Sequence, residues 1–284
     1  MRAGGTLTDG LIVPQKAELV WLEGTDAASF LNGLFTNDAE ALRQGHSQLS
    51  LLLDAKGRLR TFVRVRRDAP DAYTLVLQAG DGERMVADLE RYHFSEVLEI
   101  LGPEPVDTIV VDDRRPVALA DSAELDVVGW VEATRELVVP EPAAALASAG
   151  LSPTSFEALD ALRIRTGTPM PGRDFGEATL VHELGLEHLA VSFTKGCYLG
   201  QETVARVEHR GKVNRRLRAL ELDEDAREGG AVIHEGSEVG TLGTVARLGS
   251  DLWGALGLLR AGVPDQATVS VGGVGGRVVP FSGR

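Results

Sequence analysis

Two periods of apolar spacing run along this chain, and the switches between them mark its elements. Residues 18–22 form a short apolar run closed by Gly24, the pattern of a strand. Residues 27–34 instead set Phe30, Leu31 and Leu34 at helical spacing, with Thr25 or Asp26 in front as N-cap. Residues 49–53, 59–66 and 73–77 read as three more strands. The turn formers Asp54-Ala55-Lys56-Gly57 and Asp68-Ala69-Pro70-Asp71 separate them, so the three predict an antiparallel meander. A helix follows over 82–92, with Met85, Leu89 and Tyr92 along one stripe.

Further strands are expected at 97–101, 108–111, 117–119 and 127–131, and helices at 142–149 and 154–165, each with a proline near its start. Strands outnumber helices and alternate with them irregularly. That predicts an α+β fold with antiparallel sheets rather than a doubly wound one. After Arg218 only short apolar runs remain, at 231–233, 238–248, 253–259, 267–271 and 277–279, divided by Gly, Asp and Ser. Five strands at that spacing predict a small antiparallel β-barrel, with a boundary near residue 216 between domains 1–215 and 216–284. Gly272-Gly273-Val274-Gly275-Gly276 has no helix behind it and reads as a hairpin turn, not a dinucleotide loop.

Composition narrows the classes. In 284 residues, 43% hydrophobic and 25% charged are ordinary globular values, enough for a sizeable core. The only cysteine, Cys197, cannot form an intramolecular disulfide, a four-cysteine zinc site or an iron–sulfur cluster by itself. No apolar run approaches the roughly 20 residues of a membrane span, and the start lacks a hydrophobic signal core, so cytoplasmic residence is expected. The net charge of −13 argues against a general nucleic-acid coat.

Candidate chemistry centres on Phe193-Thr194-Lys195-Gly196-Cys197-Tyr198-Leu199-Gly200-Gln201-Glu202. Residues 199–207 have helical character, which puts Cys197 near a helix N-terminus. That position and the nearby Lys195 both favour a thiolate. A lone Cys is equally at home as a small buried hydrophobe. Downstream, Arg206, Arg210, Lys212, Arg215, Arg216 and Arg218 form a basic segment inside an acidic protein. It suits a polyglutamate tail, an RNA backbone or an acidic partner, or else forms a solvated face paired with the acidic run at 221–228. In His182-Glu183-Leu184-Gly185-Leu186-Glu187-His188 the histidines are six apart, not the four that a zinc helix needs, so no metal site is expected. Glu183, if partly buried, can accept two parallel bonds from a planar N–H edge such as guanine, pterin or guanidinium presents.

The stretch around Cys197 resembles the Lys-Gly-Cys-Tyr-x-Gly-Gln-Glu signature of the YgfZ-type folate-binding proteins, paralogues of the aminomethyltransferases of glycine cleavage. Other blocks are similar in order: Leu22-Glu23-Gly24-Thr25-Asp26-Ala27 with Phe30-Leu31 and Thr36-Asn37-Asp38, then Leu53-Asp54-Ala55-Lys56-Gly57-Arg58, and Arg91-Tyr92-His93-Phe94-Ser95-Glu96-Val97. Arg163-Ile164-Arg165-Thr166-Gly167-Thr168-Pro169 and Arg210-Gly211-Lys212-Val213-Asn214-Arg215 complete the series, so the resemblance spans about residues 19–220.

It implies a tetrahydrofolate-binding accessory protein for assembly or repair of iron–sulfur enzymes, including those that modify tRNA. The alternative is a folate-dependent one-carbon transferase. In the aminomethyltransferases a Pro-x-Glu-x-Gly-Leu segment grips the pterin. Val181-His182-Glu183-Leu184-Gly185-Leu186 matches it with Val181 for Pro, which implies Glu183 as a folate residue, joined by Asn37 and Arg210 from the other blocks. Cys197 is the signature thiol, with Lys195 beside it as the second candidate functional residue. The implied partners are iron–sulfur enzymes or assembly proteins, with tRNA contact through segment 206–218 and no membrane. Two departures stand out. Met85 occupies the place of the transferases' catalytic Asp, with Asp81 and Glu83 off register, and Arg60-Thr61 replaces their paired acidic residues. Loss of a general acid/base removes roughly 10²–10⁴-fold from a one-carbon transfer.

Overall fold

The computed structural model describes residues 10–113, 119 and 125–281. They divide into two compact units, one from Gly10–Thr154 and Leu186–Ala205, the other from Ser155–Gly185 and the chain from Arg206 onward.

In the first unit, β1 (Ile12–Glu23), β2 (Ser47–Leu53), β3 (Leu59–Ala69), β4 (Ala72–Gln78), β5 (Glu99–Asp112), β6 (Leu125–Val128) and β7 (Thr134–Val138) form one antiparallel sheet. The order is β2-β3-β4-β1-β5-β7-β6, with the expected meander at one end. The sheet curls until its edges meet, where Val128 N donates to Ser47 Oγ at 2.8 Å. Helices α1 (Ala27–Leu34) and α2 (Gly82–Glu90) bury Phe30, Leu31, Met85 and Leu89 against Leu22, Val63 and Leu75 of the sheet. Each such apolar side chain contributes about 1.5–3 kcal/mol of transfer free energy. Helix α3 (Pro142–Ser148) sets Leu146 against Ile109, Val111 and Leu137.

Where the first unit departs from the sequence expectation, the cause is local. Asp26 occupies the N-cap position of α1, but its carboxylate accepts from Val97 N at 2.7 Å and bonds no helix N–H. The strands expected at 97–101 and 108–111 are one strand, β5, despite Pro103 and Pro105. β7 pairs with β5 only along Thr108–Asp112, so the prolines' missing N–H groups have no β7 residue opposite them. β7 itself escaped the hydrophobic pattern because its centre is the buried Glu136. The strand expected at 117–119 lies, apart from Leu119, outside the described residues.

In the second unit, β8 (Arg215–Leu222), β9 (Ala231–His234), β10 (Ser237–Arg247), β11 (Trp253–Arg260), β12 (Thr268–Val271) and β13 (Val274–Val279) close into an antiparallel barrel. Closure leaves no free sheet edge. The barrel has six strands rather than five. β8 read as a charge run because Arg215, Arg216 and Arg218 surround its buried Leu217, Ala219, Leu220 and Leu222. The β12–β13 hairpin turns on Gly272 and Gly273, at φ +58° and +96°, the left-handed pair that a two-residue loop needs. Helix α4 (Phe156–Thr166) belongs to this unit, held to β10 by the fully buried Arg163. Its Nη1 donates to Asp160 Oδ1 at 2.6 Å and Thr244 Oγ1 at 3.0 Å, and its Nη2 pairs with Asp174. Among the described residues no helix is long and apolar enough to cross a membrane.

Candidate functional site

A helix end leaves its last carbonyls without intrahelical donors. The loop carrying Cys197 supplies donors to two of them at the end of α1, Asn32 O and Gly33 O, and to carbonyls just beyond α1. Ser192 N donates to Thr36 O at 2.9 Å and Leu199 N to Gly33 O at 3.0 Å. Between these stitches Lys195 Nζ donates to the carbonyls of Asn32 and Phe35, each at 2.6 Å, and of Asn37 at 3.0 Å. An ammonium has three donors, and all three are used on backbone oxygens, so Lys195 anchors the loop as a cap on α1. Its Nζ also sits 5.2 Å over the Tyr198 ring.

Cys197 lies exposed in this loop, and helix α7 (Gln201–Arg210) begins four residues beyond it, later than the pattern over 199–207 predicts. Gly200 sits at φ +81° with room for no side chain, since a Cβ there would lie 2.6 Å from Asp54 O. Gly196 has open space at that distance, so packing requires only the second glycine of the motif. Asn37 uses its amide locally. Nδ2 donates to Leu49 O at 2.9 Å, and Oδ1 accepts from Asp38 N at 3.0 Å.

Burial brings the Lys195 ammonium down to about 8, with Asp38 and Glu40 opposing the shift. The unfolded chain keeps its proton to the ordinary value of 10.5, so the cost of burying the charge is full below pH 8. It fades as pH rises from 8 to 10.5, where the unfolded state holds the extra proton. Above pH 8 a neutral amine has two N–H groups for three carbonyls. Acylation of Lys195 followed by mass spectrometry across pH should show a midpoint near 8. A midpoint at 10 or higher would contradict the burial account.

The second site is a carboxylate. α5 (Val181–Leu184) is a single turn between extended Leu180 and left-handed Gly185. Glu183, its side chain 6% exposed, reaches back so that Oε2 accepts from Leu180 N at 3.0 Å. Both its oxygens then accept from Arg215, with Nε donating to Oε1 at 3.0 Å and Nη2 to Oε2 at 2.9 Å. This fork of parallel bonds is the strong form of carboxylate recognition, and it holds the Arg215 proton above its ordinary range. A cavity of about 450 Å³ adjoins it, lined by Glu183, Leu184, Gly185, Arg216, Leu217 and Phe281 among others. Arg215 lies 32 residues from Glu183, and nothing in the sequence spacing links the two.

Asn37, Lys195 and Cys197 thus belong to one unit, with Lys195 and Asn37 in contact, while Glu183 and Arg210 belong to the other. Arg210 ends α7 exposed. Arg215 and Arg218 of the basic segment find their carboxylates outside the acidic run at 221–228. Arg218 donates to Val263 O at 2.9 Å and pairs with Asp265, whereas Glu221 pairs with Arg277 and Glu228 with Arg173. Arg210, Lys212 and Arg216 are left facing solvent.

Met85, which the resemblance sets at the transferases' catalytic position, is fully buried. Asp81 is the N-cap residue of α2, its carboxyl raised above the usual range chiefly by burial, with Arg84 opposing from 2.7 Å. Among the described residues no group of three or more His, Cys, Asp or Glu side chains is arranged to hold a metal ion. His182 and His188 fall on separate short helices, α5 and α6 (Glu187–Ala190).

No family model matches the chain. A protein of Escherichia fergusonii named tRNA-modifying protein YgfZ is 30% identical over 226 residues, covering 70% of this chain and 68% of that one. Its namesake from Escherichia coli O157:H7 is 31% identical over the same shares. An iron–sulfur cluster assembly factor IBA57 homolog, mitochondrial, from Chaetomium globosum is 26% identical over 314 residues, 96% of this chain and 68% of that one. Among solved structures, the glycine cleavage system aminomethyltransferase T of Bartonella henselae superposes with a TM-score of 0.82. It covers 98% of this chain and 88% of that one at 20% identity, a likeness of fold.

Proposed function

The chain belongs to the YgfZ family of the aminomethyltransferase superfamily, and on that footing we propose that it binds tetrahydrofolate and serves iron–sulfur cluster assembly or repair, including that of tRNA-modifying enzymes. The names of its relatives, one a cluster assembly factor and one a tRNA-modifying protein, support the two halves of this role. The observation that carries the ligand is the Glu183 fork. The carboxylate is buried, fixed by Leu180 N–H, and already engages a planar pair of N–H groups from Arg215. The N3–H and 2-amino group of a pterin present the same edge, so the residues present fit the ligand. The adjoining cavity of about 450 Å³ is within the range of small-molecule sites. Tetrahydrofolate would bring the nitrogen pair that carries one-carbon units.

In this reading Glu183 orients the pterin and Arg210 offers an exposed cation to the ligand's carboxylates. Asn37 contributes the carbonyl that helps hold Lys195. Cys197 is the functional thiol, solvent-facing on a loop that Lys195 keeps in place. Arg210, Lys212 and Arg216 form the face available to a tRNA or acidic client, and the protein works in the cytoplasm without a membrane. The accessory role is preferred to transferase activity because Met85 is buried and carries no proton, and Asp81 is tied to Arg84.

Calorimetric titration with tetrahydrofolate should show binding that Glu183→Gln weakens about 10- to 100-fold, the worth of charged hydrogen bonds to the edge. Absence of binding to the unmodified protein would end the ligand assignment. Full restoration of iron–sulfur enzyme activity by Cys197→Ala in a strain lacking the gene would end the thiol's role.

A further inference from the structure

We propose that Arg215 is a built-in occupant of the Glu183 edge, a specificity latch that a ligand must displace with a planar pair of N–H groups of its own. The inference rests on the folate reading for its natural ligand, but its geometry stands on this chain alone. Both Glu183 oxygens are filled by the Arg215 fork, at 3.0 and 2.9 Å, so no second planar edge can bind while the fork is closed.

The two partners differ in freedom. Glu183 is buried in a one-turn helix, and its Oε2 is also held by Leu180 N. Arg215 is the first residue of β8, and its side chain is 40% exposed. The carboxylate is therefore the fixed half and the guanidinium the half that can swing away. Among the described residues the other two donors to Glu183 both belong to Arg215, so release leaves Oε1 without its donor and Oε2 with Leu180 N alone. A ligand with no N–H leaves Oε1 unpaired in a buried site, and one with a single N–H replaces only half of the fork, each at a cost that disfavours it. A ligand with a matched edge replaces the fork bond for bond. The closed latch lowers apparent affinity by the fraction of molecules that are open.

Opening the latch by mutation should tighten binding of any ligand with the matched edge. With tetrahydrofolate as the probe and the full chain as the protein, Arg215→Met is expected to bind about fivefold tighter than the unmodified protein, the scale of one half-exposed ion pair. Arg215→Lys, which keeps the charge but loses the fork, is expected between the two and serves if the methionine variant fails to fold. Weaker or unchanged binding by whichever variant folds overturns the latch and makes Arg215 a ligand contact or a structural residue. A second arm does not depend on folate. Arg215→Ala should gain thermal stability from millimolar methylguanidine, and the unmodified protein and Glu183→Gln should not. No gain overturns the latch. If no form of the protein binds tetrahydrofolate while methylguanidine still stabilises Arg215→Ala, the latch stands and the folate reading falls.

Discussion

Replacing Arg163 with methionine is expected to cost about 3–5 kcal/mol, the usual loss when one partner leaves a buried charge cluster. Arg163 is fully buried on α4 and joins Asp160 at 2.6 Å, Thr244 at 3.0 Å and Asp174. Asp174 is fully buried as well and accepts from Thr244 N at 2.6 Å and Met170 N at 2.7 Å. Removing the guanidinium strands that carboxylate, and leaves Asp160 with Arg173 alone at 2.9 Å. The barrel and α4 lose their cross-link, so exchange protection should fall first in α4 and β10. Denaturant unfolding with hydrogen exchange read by mass spectrometry checks both the magnitude and the place. A loss below about 1 kcal/mol would mean that apolar packing, not the ion cluster, holds α4.

Glu136→Leu is expected to destabilise the other unit by a similar amount, and Arg64→Met added to it should restore most of the loss. Arg64 Nη2 lies 2.7 Å from Glu136 Oε2, and both side chains are almost wholly buried. Thr108 Oγ1 donates to Glu136 Oε1 at 2.8 Å. Burial pulls the Arg64 guanidinium below its ordinary range, with Glu136 and Asp81 opposing. Two of its donors, Nε and Nη1, find no partner among the described residues. A lone arginine there costs about 3–5 kcal/mol, whereas an apolar pair of similar volume is often neutral or stabilising. A double-mutant cycle by urea unfolding measures the coupling, and additive single effects would show that the two charges do not depend on each other.

Much of the fold was legible in periodicity. The meander, α1 and the glycine hairpin were read from local spacing because each is closed by residues a few positions apart. What escaped were elements with charge at their centre. β7 carries buried Glu136 and β8 is flanked by arginines, so an apolar count passed over both. Those charges are tolerated only because partners far along the chain meet them. The candidate site divides in the same way. The motif around Cys197 and the carboxylate of Glu183 stood out by residue type, but the use to which Lys195 is put did not. Proximity in sequence suggested that it acts on the thiol, and the structure turns its ammonium to three carbonyls of and just beyond α1.

The sequence alone determined the α+β class, the family resemblance and the single thiol in its most specific motif, since these depend on residue type and near spacing. Only the tertiary structure decided what each charge faces. Arg215 closes on Glu183, Arg163 on Asp160 and Asp174, and Arg64 on Glu136. A buried charge needs a partner, and which partner depends on how distant segments are brought together, which local spacing does not specify.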